Sequence, residues 1–225
     1  MSVAAVVLAA GGSTRFGEPK QLAAFQGETF VRRIVRAAID AGCAPVVVVT
    51  GEDSAQVTLE LTGIPIPVAV NPQWSSGLGS SIGVGVRHAM DLAADLDAAV
   101  LLTCDQPFVN GPALIELRLT SGKLSIASAY AGTLGIPALF DRSLFPDLLR
   151  LKGDHEAKGI IFERRYDVAS FNFLPSQSAA TRTLKALQNL ELSGCEKLAN
   201  VDSLSVIWQI ILRDSWCDIL RVCAK

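Results

Sequence analysis

The segment Val3–Lys20 reads VAAVVLAAGGSTRFGEPK: eight apolar residues, Val3 to Ala10, that stop at Gly11 and Gly12 and are followed by two cations, Arg15 and Lys20. An unbroken Val- and Ala-rich run closed by glycines fits a strand buried on both faces of a parallel sheet. Glycines just past such a strand let the backbone come close to a ligand, and the amides left free there favour an anion. Arg15 supplies a planar fork and Lys20 a point charge, a pair suited to a polyphosphate. A strand and turn carrying two solvated cations is the plainer reading. It does not account for both cations following this one strand end.

Outward from that segment the chain alternates apolar strands with helical periodicity. Phe30, Ile34, Ala37, Ala38 and Ala41 recur at helical spacing within Glu28–Ala41, and Gly42 closes the helix. Pro45–Thr50 (PVVVVT) is a second buried strand, followed by Gly51 where ligand-facing loops begin. A short helix is predicted over Ser54–Leu61, a strand over Ile66–Val70 and a helix over Gly79–Leu96. Ala98–Thr103 is another buried strand that ends in Cys104 and Asp105, followed by a helix over Leu114–Leu119 and a strand over Leu124–Tyr130. This rhythm predicts an α/β, three-layer, Rossmann-like domain on a mostly parallel sheet. Ligands of such sheets sit at the strand C-terminal ends, where Gly11, Gly51 and Asp105 all fall.

Composition narrows the function classes. A chain of 225 residues, half apolar and 19% charged, holds one sizeable α/β domain and is not disordered. Twenty basic against twenty-two acidic residues leave a net charge of −2, which argues against nucleic acid as a partner. The five cysteines are scattered with no CxxC pair, as expected of reduced thiols in a cytoplasmic protein. No cation precedes the N-terminal apolar run and no run approaches a membrane span, so neither signal peptide nor membrane partner is predicted.

LAAGGSTRFGEPKQL, residues 8–22, resembles the LAAGxSxRxGxxKxL opening of the molybdenum-cofactor nucleotidyltransferases, the molybdopterin cytidylyl- and guanylyltransferases. Leu8, Ala9, Ala10, Gly11, Ser13, Arg15, Gly17, Lys20 and Leu22 carry the match. The resemblance implies that Leu8 to Ser13, with Gly12, cradle a nucleotide and that Arg15 and Lys20 act on its phosphates. Neither a Walker A loop nor GxGxxG is present. Asp105 in LLTCDQPFV alone reads as a turn residue before Pro107. Beside the phosphate loop, and similar to the family's LxxDQPxV element, it is implied to bind Mg²⁺.

NPQWSSGLGSSIGVGV, Asn71–Val86, resembles the family's NPxWxxGMxxSLxxGL, with Leu78 and Ile82 in place of Met and Leu. Gly79, Ser80 and Ser81 open a helix whose amides and hydroxyls face a nucleotide by that resemblance, with Ser81 near the base; helix capping by serine is the structural alternative. Trp74 reads as a packing residue rather than a base stacker. YAGTLGIPALF (residues 130–140) and LKGDHEAKGII (residues 151–161) resemble the acceptor-side elements, which implicates Gly135, Pro137 and Asp154. Ile136 stands where many cytidylyltransferases have histidine, and Glu156 where the motif has a second glycine. Asp154 reads equally as the cap of a helix over His155–Arg164.

The resemblance covers about Val3–Tyr166. A nucleotidyltransferase domain is therefore predicted over residues 1–175, with a C-terminal tail over 176–225. The family's closing DIDTPED-like element is missing between Asn172 and Leu184; its nearest fragment is Asn200–Ser203, with Asp202. Leu204–Val222 is apolar over too wide an arc for a solvated helix. The function implied is Mg²⁺-dependent transfer of CMP or GMP from CTP or GTP to the phosphate of a molybdopterin-type acceptor, with a molybdoenzyme or its chaperone as protein partner. A sugar- or alditol-phosphate nucleotidyltransferase, or a nucleotide-binding paralogue without catalysis, are the alternatives.

Overall fold

The structure is a computed structural model that describes residues 1–12, 19–25, 27–106, 109–119, 124–130, 133–153 and 157–171. In chain order these form β1 (Val3–Ala9), the short pair β2 (Ala24–Phe25) and β3 (Glu28–Thr29), α1 (Phe30–Asp40), β4 (Val46–Thr50), α2 (Ser54–Glu60), β5 (Val68–Val70) and α3 (Leu78–Leu92). β6 (Ala98–Thr103), α4 (Gly111–Leu119), β7 (Ser125–Tyr130), β8 (Thr133–Asp141), α5 (Phe145–Arg150), α6 (Ala157–Glu163) and β9 (Val168–Phe171) follow. All lie within Met1–Ser178, the first of the two units into which the chain divides. Residues 176–225, with the Asn200–Ser203 fragment and the apolar segment after it, fall outside the described residues.

Seven strands form one sheet in the order β5-β4-β1-β6-β8-β7-β9, and β2 and β3 form a separate two-stranded ribbon. β1 runs parallel to both β4 and β6, with Ala9 opposite Thr50 and Leu8 opposite Thr103. That register brings the C-terminal ends of the three strands to one edge. Every residue of β1 and β4 is buried, as the centre of a sheet covered on both faces requires. Alternate residues of the central strands (Val6, Leu8, Val47, Val49, Leu101) join Ile82 and Val86 of α3, Phe145 and Leu148 of α5, and Ile160 and Ile161 of α6 in one core. Strand alternation turns Val48 and Val100 to the opposite face, the side on which α1 packs against α4, β1 and β4. Gly85 sets how closely α3 lies on the sheet. A Cβ there would stand 2.3 Å from Val6 Cγ1 and 2.8 Å from Val49 Cγ2, nearer than packed carbons tolerate.

The α/β, mostly parallel architecture is the expected one, and its boundaries shift for local reasons. α1 begins at Phe30 because Glu28 and Thr29 pair with Ala24 and Phe25. The strand expected from Ile66 begins at Val68, since Pro67 has no N–H to give the sheet; its carbonyl accepts from Val48 N at 3.1 Å. The largest difference is β8, where the sequence predicted only acceptor-side motifs. Gly135 and Pro137 interrupt strand patterning there, yet the strand pairs antiparallel with β6 through Ala138–Asp141 and with β7 through Thr133, Leu134, Gly135, Ala138, Leu139 and Phe140. A register shift between Ala127 and Ser128 of β7 accommodates the interruption. Among the described residues, no helix is long and apolar enough to cross a membrane.

Candidate nucleotide site

The chain leaves β1 for β4 and β5 on one side, then returns to β6 on the other. Ligands of open α/β sheets bind at such a reversal, outside the strand C-terminal ends. A cavity of about 340 Å³ lies there. Leu8 to Gly12 from the end of β1 form its floor, Thr103, Cys104 and Asp105 from the end of β6 one wall, and Trp74, Gly77, Leu78 and Ser81 the other. Lys20 and Gln21 complete the lining.

The β6 wall carries the charge. Thr103 Oγ1 donates to Asp105 Oδ1 at 2.7 Å, and Lys20 Nζ stands 3.8 Å from Asp105 Oδ2. Asp105 is thus aimed by its own strand end and faces a cation from the loop that follows β1. Lys20 sits on a single 3₁₀ turn, Lys20–Leu22, whose Gln21 is buried and donates through Nε2 to Asp53 Oδ2 at 3.0 Å. That bond ties the loop after β1 to the loop after β4. Gln106 Nε2 donates to Ile136 O at 3.0 Å and so joins the β6 loop to β8. Cys104 is buried beside Asp105, and its thiol is pushed far up, first by burial and then by the Asp105 carboxylate, with Lys20 opposing. It is a neutral thiol rather than a nucleophile.

The opposite wall is a hydrogen-bonded unit. Asn71, buried at the end of β5, donates through Nδ2 to Ser80 Oγ at 2.8 Å and to Ser81 Oγ at 3.0 Å, while its Oδ1 accepts from Gln73 N at 2.9 Å. Ser80 turns its proton toward the carbonyls of Gly77 and Gln73. Ser81 lines the cavity and accepts from Asn71. Among the described residues its own proton has no acceptor, so a ligand can receive it. Gly79 N donates to Gly153 O at 3.0 Å, which fixes the start of α3 to the loop after α5.

Of the residues expected from sequence, Leu8, Ala9, Ala10, Gly11, Gly12, Lys20, Ser81 and Asp105 line this one cavity. Gly51, Gly79 and Ser80 lie beside it without lining it, Gly51 buried beneath Trp74. Gly135 and Pro137 are buried in β8. Ser13, Arg15 and Asp154 lie outside the described residues. Sequence reasoning gave no role to Thr103, Gln21 or Asn71. The Asn-Pro dipeptide was the one local signal of a turn at Asn71; the partners of Thr103 and Gln21 exist only in the fold.

Among the described residues no group of three or more His, Cys, Asp or Glu gathers to hold a metal ion. One oriented carboxylate nonetheless suits Mg²⁺, which is commonly held by one or two protein carboxylates together with phosphate oxygens and water. The donor set at Asp105 fits an ion that arrives with a nucleotide.

The model of the MobA-like NTP transferase domain matches residues 5–168. The chain is 32% identical to nicotine blue oxidoreductase of Paenarthrobacter nicotinovorans, over 62% of this chain and 67% of that protein. It is 30% identical to the purine catabolism protein PucB of Bacillus subtilis, over 69% of this chain and 78% of that protein. To a probable molybdenum cofactor guanylyltransferase of Bacillus cereus it is 31% identical, over 48% of this chain and 50% of the relative. The crystal structure of Rv0371c from Mycobacterium tuberculosis in complex with manganese superposes with a TM-score of 0.65 at 25% identity, covering 77% of this chain and 89% of that one.

Proposed function

Because the chain belongs to the MobA-like NTP transferase family, we propose that it is a Mg²⁺-dependent nucleotidyltransferase that moves CMP, or GMP, from its triphosphate to the phosphate of a molybdopterin-type acceptor. The observation that carries this reading is the meeting of Asp105, Lys20 and the Gly11–Gly12 turn around one cavity at the reversal of the sheet. Relatives support it: one is named a molybdenum cofactor guanylyltransferase, and a structural neighbour was crystallised with manganese, a divalent cation.

In this reading the nucleotide base enters beside Ser81 and the triphosphate lies along Gly11, Gly12 and Lys20. A phosphate oxygen of the acceptor attacks the α-phosphorus, the bond between the α-phosphorus and its bridging oxygen breaks, and pyrophosphate leaves. Lys20, the Gly11 and Gly12 amides and Arg15 offset charge growing on the α-phosphate and pyrophosphate. Asp105 would hold Mg²⁺, which supplies charge neutralisation at the phosphates. The acceptor phosphate is already an anion, so no general base is required. Gly135, Pro137 and Asp154 are assigned to the acceptor side, residues 1–175 to the catalytic domain and 176–225 to a C-terminal tail without an assigned role; the protein works in the cytoplasm, with a molybdoenzyme or its chaperone as protein partner.

The test is pyrophosphate release from each NTP with purified molybdopterin and Mg²⁺. Release with CTP or GTP that depends on molybdopterin is the expected result. Release only with a sugar or alditol phosphate assigns a different acceptor, and NTP binding without turnover on any acceptor refutes catalysis.

A further inference from the structure

Trp74 touches both glycine turns that sequence reasoning reserved for a ligand. A Cβ on Gly12 would stand 2.8 Å from Trp74 Cη2 and 2.8 Å from Cζ3, and the third-nearest atom, at 4.0 Å, is again in this ring. At Gly51 a Cβ would stand 2.6 Å from Trp74 Cγ and 2.9 Å from its Cβ, with Ala10 O at 2.8 Å. The indole therefore spans from the end of β4 to the end of β1, with its root on Gly51 and its outer edge on Gly12. Around Gly11, by contrast, nothing among the described residues comes within 4 Å of a built Cβ. Packing alone explains why residues 12 and 51 lack side chains.

The backbone holds the ring in that seat. Asn71 N donates to Thr50 O at 2.8 Å, Trp74 N to Asn71 O at 3.3 Å and Gly77 N to Trp74 O at 3.2 Å. The same Asn71 binds the Ser81 hydroxyl on the cavity side. One rigid ring and one amide thus join the phosphate turn to the Ser81 wall.

We propose that Trp74 is a positioning residue of the nucleotide site, whose indole, seated on Gly12 and Gly51, fixes the turn after β1 and closes the cavity on its β4 side. Gly12 lacks a side chain in order to admit this ring, while its backbone amide stays on the cavity lining. The inference rests on the reading of the cavity as a nucleotide site. A methyl on Gly12 would push the ring edge off its seat, since the nearest atoms among the described residues all belong to the indole.

The experiment is a double-mutant cycle on nucleotide affinity. CTP and GTP binding in the presence of Mg²⁺ is measured by calorimetry for the wild type, Gly12→Ala, Trp74→Ala and the double variant, with thermal melts confirming folded protein. Gly12→Ala is expected to weaken binding about tenfold when Trp74 is present and less than about threefold when it is absent, a coupling typical of groups in contact. Trp74→Phe, which refills most of the seat and guards against misfolding of the alanine variant, should keep affinity within about threefold of wild type. An equal loss on Gly12→Ala in both backgrounds means that the methyl meets the nucleotide itself and overturns the proposal. So does Trp74→Ala binding nucleotide like the wild type. Wild-type protein that binds neither nucleotide overturns the functional reading and this inference with it.

Discussion

Replacing Asp105 by Asn tests the charged wall most directly, because structure and catalysis respond to it differently. The asparagine keeps the carboxylate's shape, and its Oδ1 can still accept from Thr103 Oγ1, now at 2.7 Å from Asp105 Oδ1. What disappears is one negative charge facing Lys20 Nζ at 3.8 Å. The two side chains are 38% and 41% exposed, so water screens the pair and its loss costs at most about 0.5 kcal/mol. For a domain of this size that is a change in Tm of roughly 2 °C or less. Turnover should respond on another scale. Removing one preorganised electrostatic element from a phosphoryl-transfer site costs at least about 10²-fold in kcat, close to 2.7 kcal/mol of transition-state stabilisation. The half-saturating Mg²⁺ concentration should rise as well. The assay is pyrophosphate release at saturating NTP and acceptor across a Mg²⁺ titration, paired with a thermal melt. A variant that melts like the wild type yet turns over within about threefold of it would reduce Asp105 to a turn residue and refute the metal role.

Three further outcomes follow from particular contacts. Gly85→Ala gains up to about 1 kcal/mol of helix propensity, but its methyl meets Val6 and Val49 at 2.3 and 2.8 Å. Overpacking of about 1–3 kcal/mol wins, and a fall in Tm of roughly 2–8 °C is expected by calorimetry; an unchanged or higher Tm would mean that α3 is free to lift off the sheet. Burial pushes the Cys43 thiol up from 9.0 to about 11, with Arg118 opposing. A raised folded-state pKa means that this stability is whole below pH 9 and is lost between about 9 and 11, so the slope of stability against pH in that window should shrink in Cys43→Ala. CTP is expected to be used at least about tenfold more efficiently than GTP, a gap of roughly 1.4 kcal/mol, and Ser81→Ala should narrow it more than it lowers the overall rate. Competition kinetics with equal or GTP-favouring efficiency would refute this preference for CTP.

Much of this molecule is legible locally. The apolar runs at Val3–Ala10, Pro45–Thr50 and Ala98–Thr103 can be buried only in a covered sheet, so the strands, their parallel sense and the edge that carries Gly11 and Asp105 follow from composition and spacing. Other features are pairwise and distant, and no local pattern encodes them. β8 was hidden because Gly135 and Pro137 interrupt its strand pattern, and only the pairing of the residues around them with β6 and β7 makes it a strand. Thr103 looked like any strand-end threonine, and only the turn of the backbone after β6 brings Asp105 back to its hydroxyl. Gln21 and Asp53 are far apart in the chain and meet because β1 and β4 end side by side. Gly12 and Gly51 carry the same apparent message as Gly11, an open backbone for a ligand, until the indole of Trp74 is found on both. A glycine in sequence records only that a side chain is missing. What occupies the space is decided by packing, because that space is bounded by residues from three different strand ends.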